Sequence, residues 1–174
     1  MRPYWQEVQR LFAVLGYLVK KTDKDGIELL FTAPGTNKNK TTAPLIRILE
    51  NMGYPNSSLD FQKRLSEILR DYEARLRHWN TNKSSRFSFK RCTCPPPLSL
   101  YVLTNGEWQH HTNPRNITSV SEDIRRLVDT LVELKLPTNQ VGIQFIRFGN
   151  SLNGADRLQH LDSRLGLARY VDVH

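Results

Sequence analysis

Strand-like and helix-like segments alternate along the second half of the chain, and this alternation limits the fold more than any other feature. Residues 98–104 and 141–148 predict strands that end at Asn105-Gly106 and Gly149-Asn150. Between them, a capping box at Ser119 and Glu122 opens an apolar period that predicts a helix ending before Pro137. A further helix is predicted around 155–165 and a last strand at 169–173. Such an order favours a parallel sheet covered by helices, so we predict an α/β fold.

The first half predicts the same kind of structure with shorter segments. An amphipathic helix is expected over residues 3–20, a mostly buried strand over 27–32 and a short helix over 45–52. The polar run 33–42 lacks the spacing of a phosphate-binding loop and is interpreted as an ordinary connection. Residues 60–79 form the clearest predicted helix, with pairs Asp71–Arg75 and Glu73–Arg77 on its polar face.

Length and charge restrict the alternatives. The 174 residues fit one domain, 1–174, with an irregular basic and proline-rich linker at about 80–97. The longest apolar runs are too short for a membrane span, and no signal-peptide core follows Met1, so we expect a cytoplasmic protein without membrane partners. Of the net charge of +8, residues 62–91 carry +6, which makes the basicity local.

Reactive groups are sparse at the predicted strand ends, where ligands of parallel sheets bind. The sequence contains no nucleophile elbow, dinucleotide loop or paired carboxylates there, so no catalytic residue is assigned. Hydrolysis by His110 or His111 is the weakest hypothesis, because nothing in the sequence positions a nucleophile beside them. Cys92 and Cys94 supply only half of a zinc site. A binding face is instead expected at the strand ends: Thr32, Thr104, Asn105, Gly106, Glu107, Gly149 and Asn150.

The segment Leu98–Trp108 resembles the central strand of a von Willebrand factor A (vWA) domain, which usually ends in Thr-Asp-Gly. Val141–Asn150 resembles the next strand and Ala155–Asp162 the helix after it, in the style of intracellular fungal members. Tyr4–Val19 and Asp23–Thr32 resemble the first helix and second strand. The resemblance implies a three-layer, Rossmann-like fold and a non-catalytic module that binds another protein.

The resemblance also implies a degenerate metal-ion-dependent adhesion site. The family holds a divalent cation with Asp-x-Ser-x-Ser, a Thr and the Asp of Thr-Asp-Gly, because Mg²⁺ prefers hard oxygen ligands. Here Asn105 stands at the Asp position, and Ser57 or Ser58 at the Thr position. The first strand and its Asp-x-Ser-x-Ser motif would lie before Met1, so we expect a truncated domain. No cofactor is expected, and Mg²⁺ binding would require the missing motif.

The missing strand leaves three explanations open: a start at an internal Met, a truncated paralogue, or a sheet that another chain completes. We favour the first two together.

A second hypothesis assigns nucleic-acid or acidic-surface binding to residues 75–91. Basic side chains there alternate with Trp79, Phe87 and Phe89, which combines phosphate contacts with stacking surfaces. Solvation of an ordinary helix face explains the same pattern and is the more common case. The basic residues of this alternative patch are Arg75, Arg77, Lys83, Arg86, Lys90 and Arg91.

Overall fold

The computed structural model describes residues 2–20, 27–31, 36–39, 41–51, 61–83, 93–107, 117–162 and 167–174. These residues belong to two compact units, 1–60 and 61–174. The prediction of one domain over residues 1–174 stays a prediction. Among the described residues, no helix has the length and apolar character needed to cross a membrane.

The first unit joins helices to a small hairpin. Helix α1 spans Trp5–Lys20, strands β1 and β2 span Ile27–Leu30 and Thr36–Asn39, and helix α2 spans Thr42–Asn51. Helix α1 buries Val8 and Phe12, while α2 buries Leu45 and Leu49. The side-chain amide of Gln9 donates a hydrogen bond to the Leu49 carbonyl (3.1 Å), which ties the two helices together.

Two predictions for this unit are wrong. The run 33–42 is not an ordinary connection throughout, because Thr36–Asn39 pairs with β1. Strand β1 also pairs antiparallel with β2 instead of entering a parallel sheet. The cause is the short connection between the strands, since a parallel crossover needs a dozen or more residues.

The second unit contains the parallel sheet that the sequence predicts. Its order is β3 (Leu98–Thr104), β4 (Val141–Arg147) and β5 (Val171–Val173), with both pairs parallel. Helix α3 (Phe61–Lys83) precedes the sheet, α4 (Ile117–Glu133) connects β3 to β4, and α5 (Leu152–Asp162) connects β4 to β5. The α/β class is therefore confirmed for this part of the chain.

The core of the second unit lies between the sheet and its helices. The stripe of α3 contributes Leu65, Leu69, Tyr72 and Leu76, all of them buried. Ile143 and Phe145 of the central strand β4 are fully buried against them in one continuous cluster. One face of the central strand is buried in this core, whereas Gly142, Gln144 and Ile146 on its other face are only partly buried. The expected cover on both faces is therefore incomplete among the described residues.

Element boundaries differ from the predictions by a few residues. Helix α3 continues to Lys83, so the predicted linker at 80–97 begins with one helical turn. Helix α4 begins at Ile117, which places the predicted capping box of Ser119 and Glu122 inside the helix rather than at its start. Helix α5 begins at Leu152, three residues earlier than expected, because Ser151 caps it.

Ion pairs join α3 to α4 along their polar sides. Both predicted pairs within α3 are confirmed, with Asp71–Arg75 at 3.1 Å and Glu73–Arg77 at 3.0 Å. Glu73 also accepts a hydrogen bond from Arg126 of α4 at 3.0 Å. Burial raises the pKa of Glu73, but hydrogen bonds from Arg77, Arg126 and Thr130 outweigh it and hold the pKa below its usual value.

A buried carboxylate, Asp123, extends this network. Asp123 of α4 is 4% exposed. It accepts hydrogen bonds from the hydroxyl of Ser66 and from the guanidinium groups of Arg70 (3.4 Å) and Arg126 (2.6 Å). Burial of an unpaired carboxylate would be costly, so these donors are what makes Asp123 tolerable in the interface between the helices.

Candidate functional site

The carboxyl ends of β3 and β4 lie side by side, because the two strands are parallel and in direct register. Thr104 pairs with Arg147 at the end of the ladder. One more hydrogen bond, from the Phe148 N–H to the Thr104 carbonyl (2.8 Å), continues the pairing beyond the strands. The turns that follow, at 105–107 and 149–151, are therefore neighbours at this edge of the sheet, where parallel sheets place their ligands.

The turn after β3 is fixed by its own side chains. The Gly106 N–H donates to the Thr104 hydroxyl (3.0 Å), and the Glu107 N–H donates to the Asn105 side-chain oxygen (3.2 Å). The Asn105 amide in turn donates to the Glu107 carboxylate (3.0 Å). Gly106 has a φ of 72°, in the left-handed region that favours glycine. The turn therefore holds the exposed Glu107 in a defined position.

Helix α5 closes against this turn through two glycines. A Cβ at Gly154 would lie 2.3 Å from the carbonyl oxygen of Asn105, and one at Gly106 would lie 2.6 Å from the Gly154 backbone. Arg157, one turn further along α5, donates to the Gly106 carbonyl (3.2 Å). Only glycine allows the two backbones to approach so closely.

The turn after β4 forms the N-terminus of α5. The Ser151 hydroxyl accepts a hydrogen bond from the Gly154 N–H (3.2 Å), which is the geometry of a helix N-cap. Arg147 donates to the carbonyl of Gly149 (2.9 Å), whose φ is 88°. The side chain of Leu152 follows the cap and is 80% exposed. A large apolar side chain thus lies in solvent beside the polar turns.

Six of the predicted binding-face residues are brought to this edge: Thr104, Asn105, Gly106, Glu107, Gly149 and Asn150. Thr104 and Gly106 are buried and shape the turn, whereas Glu107 and Asn150 are exposed. Thr32 lies outside the described residues. Sequence reasoning missed Leu152, Gly154 and Arg157. Leu152 could have been found from its position, because an apolar residue directly follows the polar Gly-Asn-Ser turn.

Few oxygen ligands for a divalent cation are found among the residues described at this edge. The Asn105 oxygen already accepts a backbone N–H, and the only carboxylate joined to it is Glu107. Mg²⁺ requires about six oxygen ligands in near-octahedral geometry, usually including more than one carboxylate or phosphate. Ser57 and Ser58, the other family position, lie outside the described residues. The absence of a tight metal site stays a prediction.

Only three residues of the alternative basic patch, Arg75, Arg77 and Lys83, are among the described residues, and each contacts a neighbouring side chain. Arg77 is held by Glu73 and by Glu133 (3.1 Å), so two carboxylates neutralise its charge. Arg75 pairs with Asp71, and Lys83 lies 4.6 Å above the ring of Trp79. Arg86, Lys90 and Arg91, together with His110 and His111, lie outside the described residues.

An open groove lies beside this patch. It has a volume of about 450 Å³ and is formed by one face of α3 and the extended chain before β3. Its lining residues are Asp71, Ala74, Arg75, His78, Trp79, Thr93, Pro95 and Pro96. The groove thus combines an aromatic ring and two prolines with Arg75, His78 and the carboxylate of Asp71.

Buried hydrogen bonds tie the two prolines of this groove to Tyr72 of α3 and to Gln140, which precedes β4. The Tyr72 hydroxyl donates to the Pro96 carbonyl (2.8 Å) and accepts from the Gln140 amide (2.7 Å), which also donates to the Pro95 carbonyl (2.9 Å). Burial raises the pKa of Tyr72, although the hydrogen bond from Gln140 acts in the opposite direction. Burial likewise raises the pKa of Cys94, against the nearby charge of Lys83. A thiol with a raised pKa is a poor nucleophile at neutral pH.

Comparisons of the chain with known protein families, with characterised proteins and with solved structures give no match.

Proposed function

We propose that this chain is a non-catalytic protein-interaction module of vWA type, which binds a partner protein at the carboxyl edge of β3 and β4. The observation that carries the proposal is that an exposed apolar side chain, Leu152, lies beside two polar turns whose backbones are fixed by hydrogen bonds. Leu152 is 80% exposed and begins α5, and the turn that holds Glu107 packs against the same helix. Protein interfaces commonly combine an apolar centre with a polar rim, and Leu152 with the polar turns around it has this layout.

The rigidity of this edge supports the same proposal. Hydrogen bonds to the side chains of Thr104, Asn105 and Ser151, together with the glycine contact, fix the backbone before any partner arrives. A fixed surface loses little conformational freedom on binding, so more of the contact energy contributes to affinity. The parallel order of β3, β4 and β5 is compatible with the vWA resemblance of Leu98–Trp108 and Val141–Asn150.

A site-specific photo-crosslinker tests this proposal. Incorporated at Leu152, it should trap a partner from cell extract, whereas the same group at Val132 should not. Val132 is a matched control because it is also an apolar residue of the second unit and is 66% exposed, on α4. Purified partner should then bind Leu152→Ser at least tenfold more weakly, which corresponds to about 1.4 kcal/mol. Equal trapping at both positions, no trapping, or unchanged affinity would contradict the proposal.

A second candidate function, binding of single-stranded nucleic acid, is favoured by the Trp79 groove. Residues 74–106 contain six Lys and Arg and no Asp or Glu, and both walls of the groove belong to this run, apart from Asp71. A base stacked on an aromatic ring, with phosphates on nearby cations, is the common way in which proteins bind single strands. The ion pairs of Arg77 and Arg75 weaken this candidate, because those charges already have partners.

Two lysines of α3 provide the test of this second function. Lys83 is beside Trp79, and Lys63 lies 20 residues earlier, or about 30 Å along the helix. With a single-stranded oligonucleotide and anisotropy detection, Lys83→Glu should weaken binding much more than Lys63→Glu, and affinity should fall with salt. Equal effects of the two variants would reject a groove-centred site.

A further inference from the structure

The two edges of the parallel sheet differ in their protection against pairing. Strand β5, at one edge, has only three residues and carries the exposed Asp172. Strand β3, at the other edge, has seven residues, and no charged residue or proline occurs among them. Short strands and charged side chains are the features that prevent edges from pairing with other chains, and β3 has neither.

The register identifies the backbone groups that β3 leaves open. In a strand, every second residue directs its N–H and C=O groups to the same neighbouring strand, and the residues between them direct theirs to the opposite side. The Thr104 carbonyl accepts from Phe148 beyond β4, so the even-numbered residues of β3 face β4. Ser99, Tyr101 and Leu103 therefore direct three N–H and three C=O groups to the outer edge. No hydrogen-bond partner for these groups occurs among the described residues.

We propose that this edge binds a second copy of the chain, by antiparallel pairing of β3 with β3 across a twofold axis at Tyr101. In that register Ser99 faces Leu103 of the second copy, and the two Tyr101 residues face each other. Every outward N–H then meets an outward C=O, because facing residues of hydrogen-bonded pairs exchange both bonds. The edge is complementary to itself in this register, which is the requirement for a twofold interface.

The side chains agree with this arrangement. Pairs of even-numbered residues place Leu100 opposite Val102 of the second copy, and both side chains pack on the core of their own unit. Tyr101, which is 38% exposed, gains an aromatic partner on the opposite face. No like charges meet along the ladder, since residues 98–104 are uncharged.

Disulfide formation measures the register directly. In a chain with Cys92 and Cys94 replaced by alanine, Tyr101→Cys should give a covalent dimer on mild oxidation, because facing residues of a hydrogen-bonded pair have Cα atoms about 5.5 Å apart. The matched variant Ser99→Cys should not, because the two copies of residue 99 would lie four residues apart along the ladder, or about 14 Å. Cross-linking of both variants, or of neither, would overturn the proposed register.

The mass of the chain in solution completes the test. Light scattering during size exclusion should give twice the monomer mass of 20.2 kDa, and Tyr101→Lys should reduce it to the monomer mass. Asp172→Lys introduces the same residue at the β5 edge and should leave the dimer intact. Circular dichroism shows whether each variant remains folded. A parent chain that is still monomeric at about 100 µM (a Kd weaker than this corresponds to less than about 5.5 kcal/mol of binding free energy) would refute the proposal. A β3 edge that binds only a different protein would also refute it.

Discussion

Replacement of Gly154 by alanine tests the close approach on which the candidate site depends. The new Cβ would lie 2.3 Å from the Asn105 carbonyl oxygen and 3.3 Å from the Gly106 Cα. The first distance is more than 1 Å below the ~3.5 Å at which non-bonded heavy atoms attract each other. Both neighbours are backbone atoms, so no side chain can rotate away. The turn after β3 and helix α5 must therefore separate.

The size of the effect follows from opposing terms. Forcing extra volume into a packed site costs about 1–3 kcal/mol. Separation also weakens the hydrogen bond from Arg157 to the Gly106 carbonyl, for about 1 kcal/mol more. Alanine in a helix is favoured over glycine by about 1 kcal/mol, which offsets part of this. We expect Gly154→Ala to lower the free energy of unfolding by about 1–3 kcal/mol.

Urea unfolding followed by circular dichroism measures this loss. With a slope of about 2 kcal/mol per molar urea, the midpoint should fall by about 0.5–1.5 M. Gly142→Ala is the matched control, because no atom lies within 4 Å of its added Cβ on strand β4. That variant should be as stable as the parent or more stable by about 0.5–1 kcal/mol. If Gly154→Ala unfolds at the parent's midpoint, the two backbones are not in contact and the rigid site does not exist.

Three further outcomes are expected. Glu73→Gln should lower the free energy of unfolding at pH 7 by about 1–2 kcal/mol more than Glu67→Gln, whose carboxylate is half exposed. The pKa of Glu73 is lowered in the folded state, so this stability is present above the unfolded-state pKa near 4.5 and disappears as the pH falls through the folded-state pKa. The urea midpoints of parent and variant should therefore converge in acid. Tyr72→Phe should lower the free energy of unfolding by about 1–2 kcal/mol in the same assay, since the Gln140 amide loses its phenol partner. Because the pKa of Tyr72 is raised, this difference in stability should disappear only as the pH rises beyond 10. Titration calorimetry with MgCl₂ should show no saturable micromolar binding, and a clear binding isotherm would contradict the degenerate-site interpretation of Asn105.

Local patterns predicted the elements whose structure depends on local sequence. The apolar stripe of α3 and the uncharged run of β3 are found where periodicity placed them, and the i,i+4 pairs formed as expected. Strand β2 was missed because Thr36–Asn39 is polar throughout and has no alternating pattern. Its conformation depends on the backbone partner that β1 supplies, which no property of those four residues reveals.

The candidate site shows the same division. The strand ends were predicted, since Gly and Asn follow both apolar runs. Gly154 and Arg157 were missed because their roles come from Asn105 and Gly106, about 50 residues earlier in the chain. Contacts between distant segments of this kind depend on the packed fold and leave no local pattern.

The contacts between α3 and α4 have a consequence for folding while the chain is being synthesised. The partners of Glu73 and Ser66 on α4 are 53 and 57 residues further along the chain. At about 5–20 residues per second, the apolar stripe of α3 waits roughly 3–10 s for the helix that covers it. Strand β3 emerges in the same interval, before β4 exists to pair with it. The nascent chain thus presents the uncharged strand β3 and the apolar stripe of α3 together. Chaperones that recognise exposed apolar segments should bind the ribosome-bound chain at this stage.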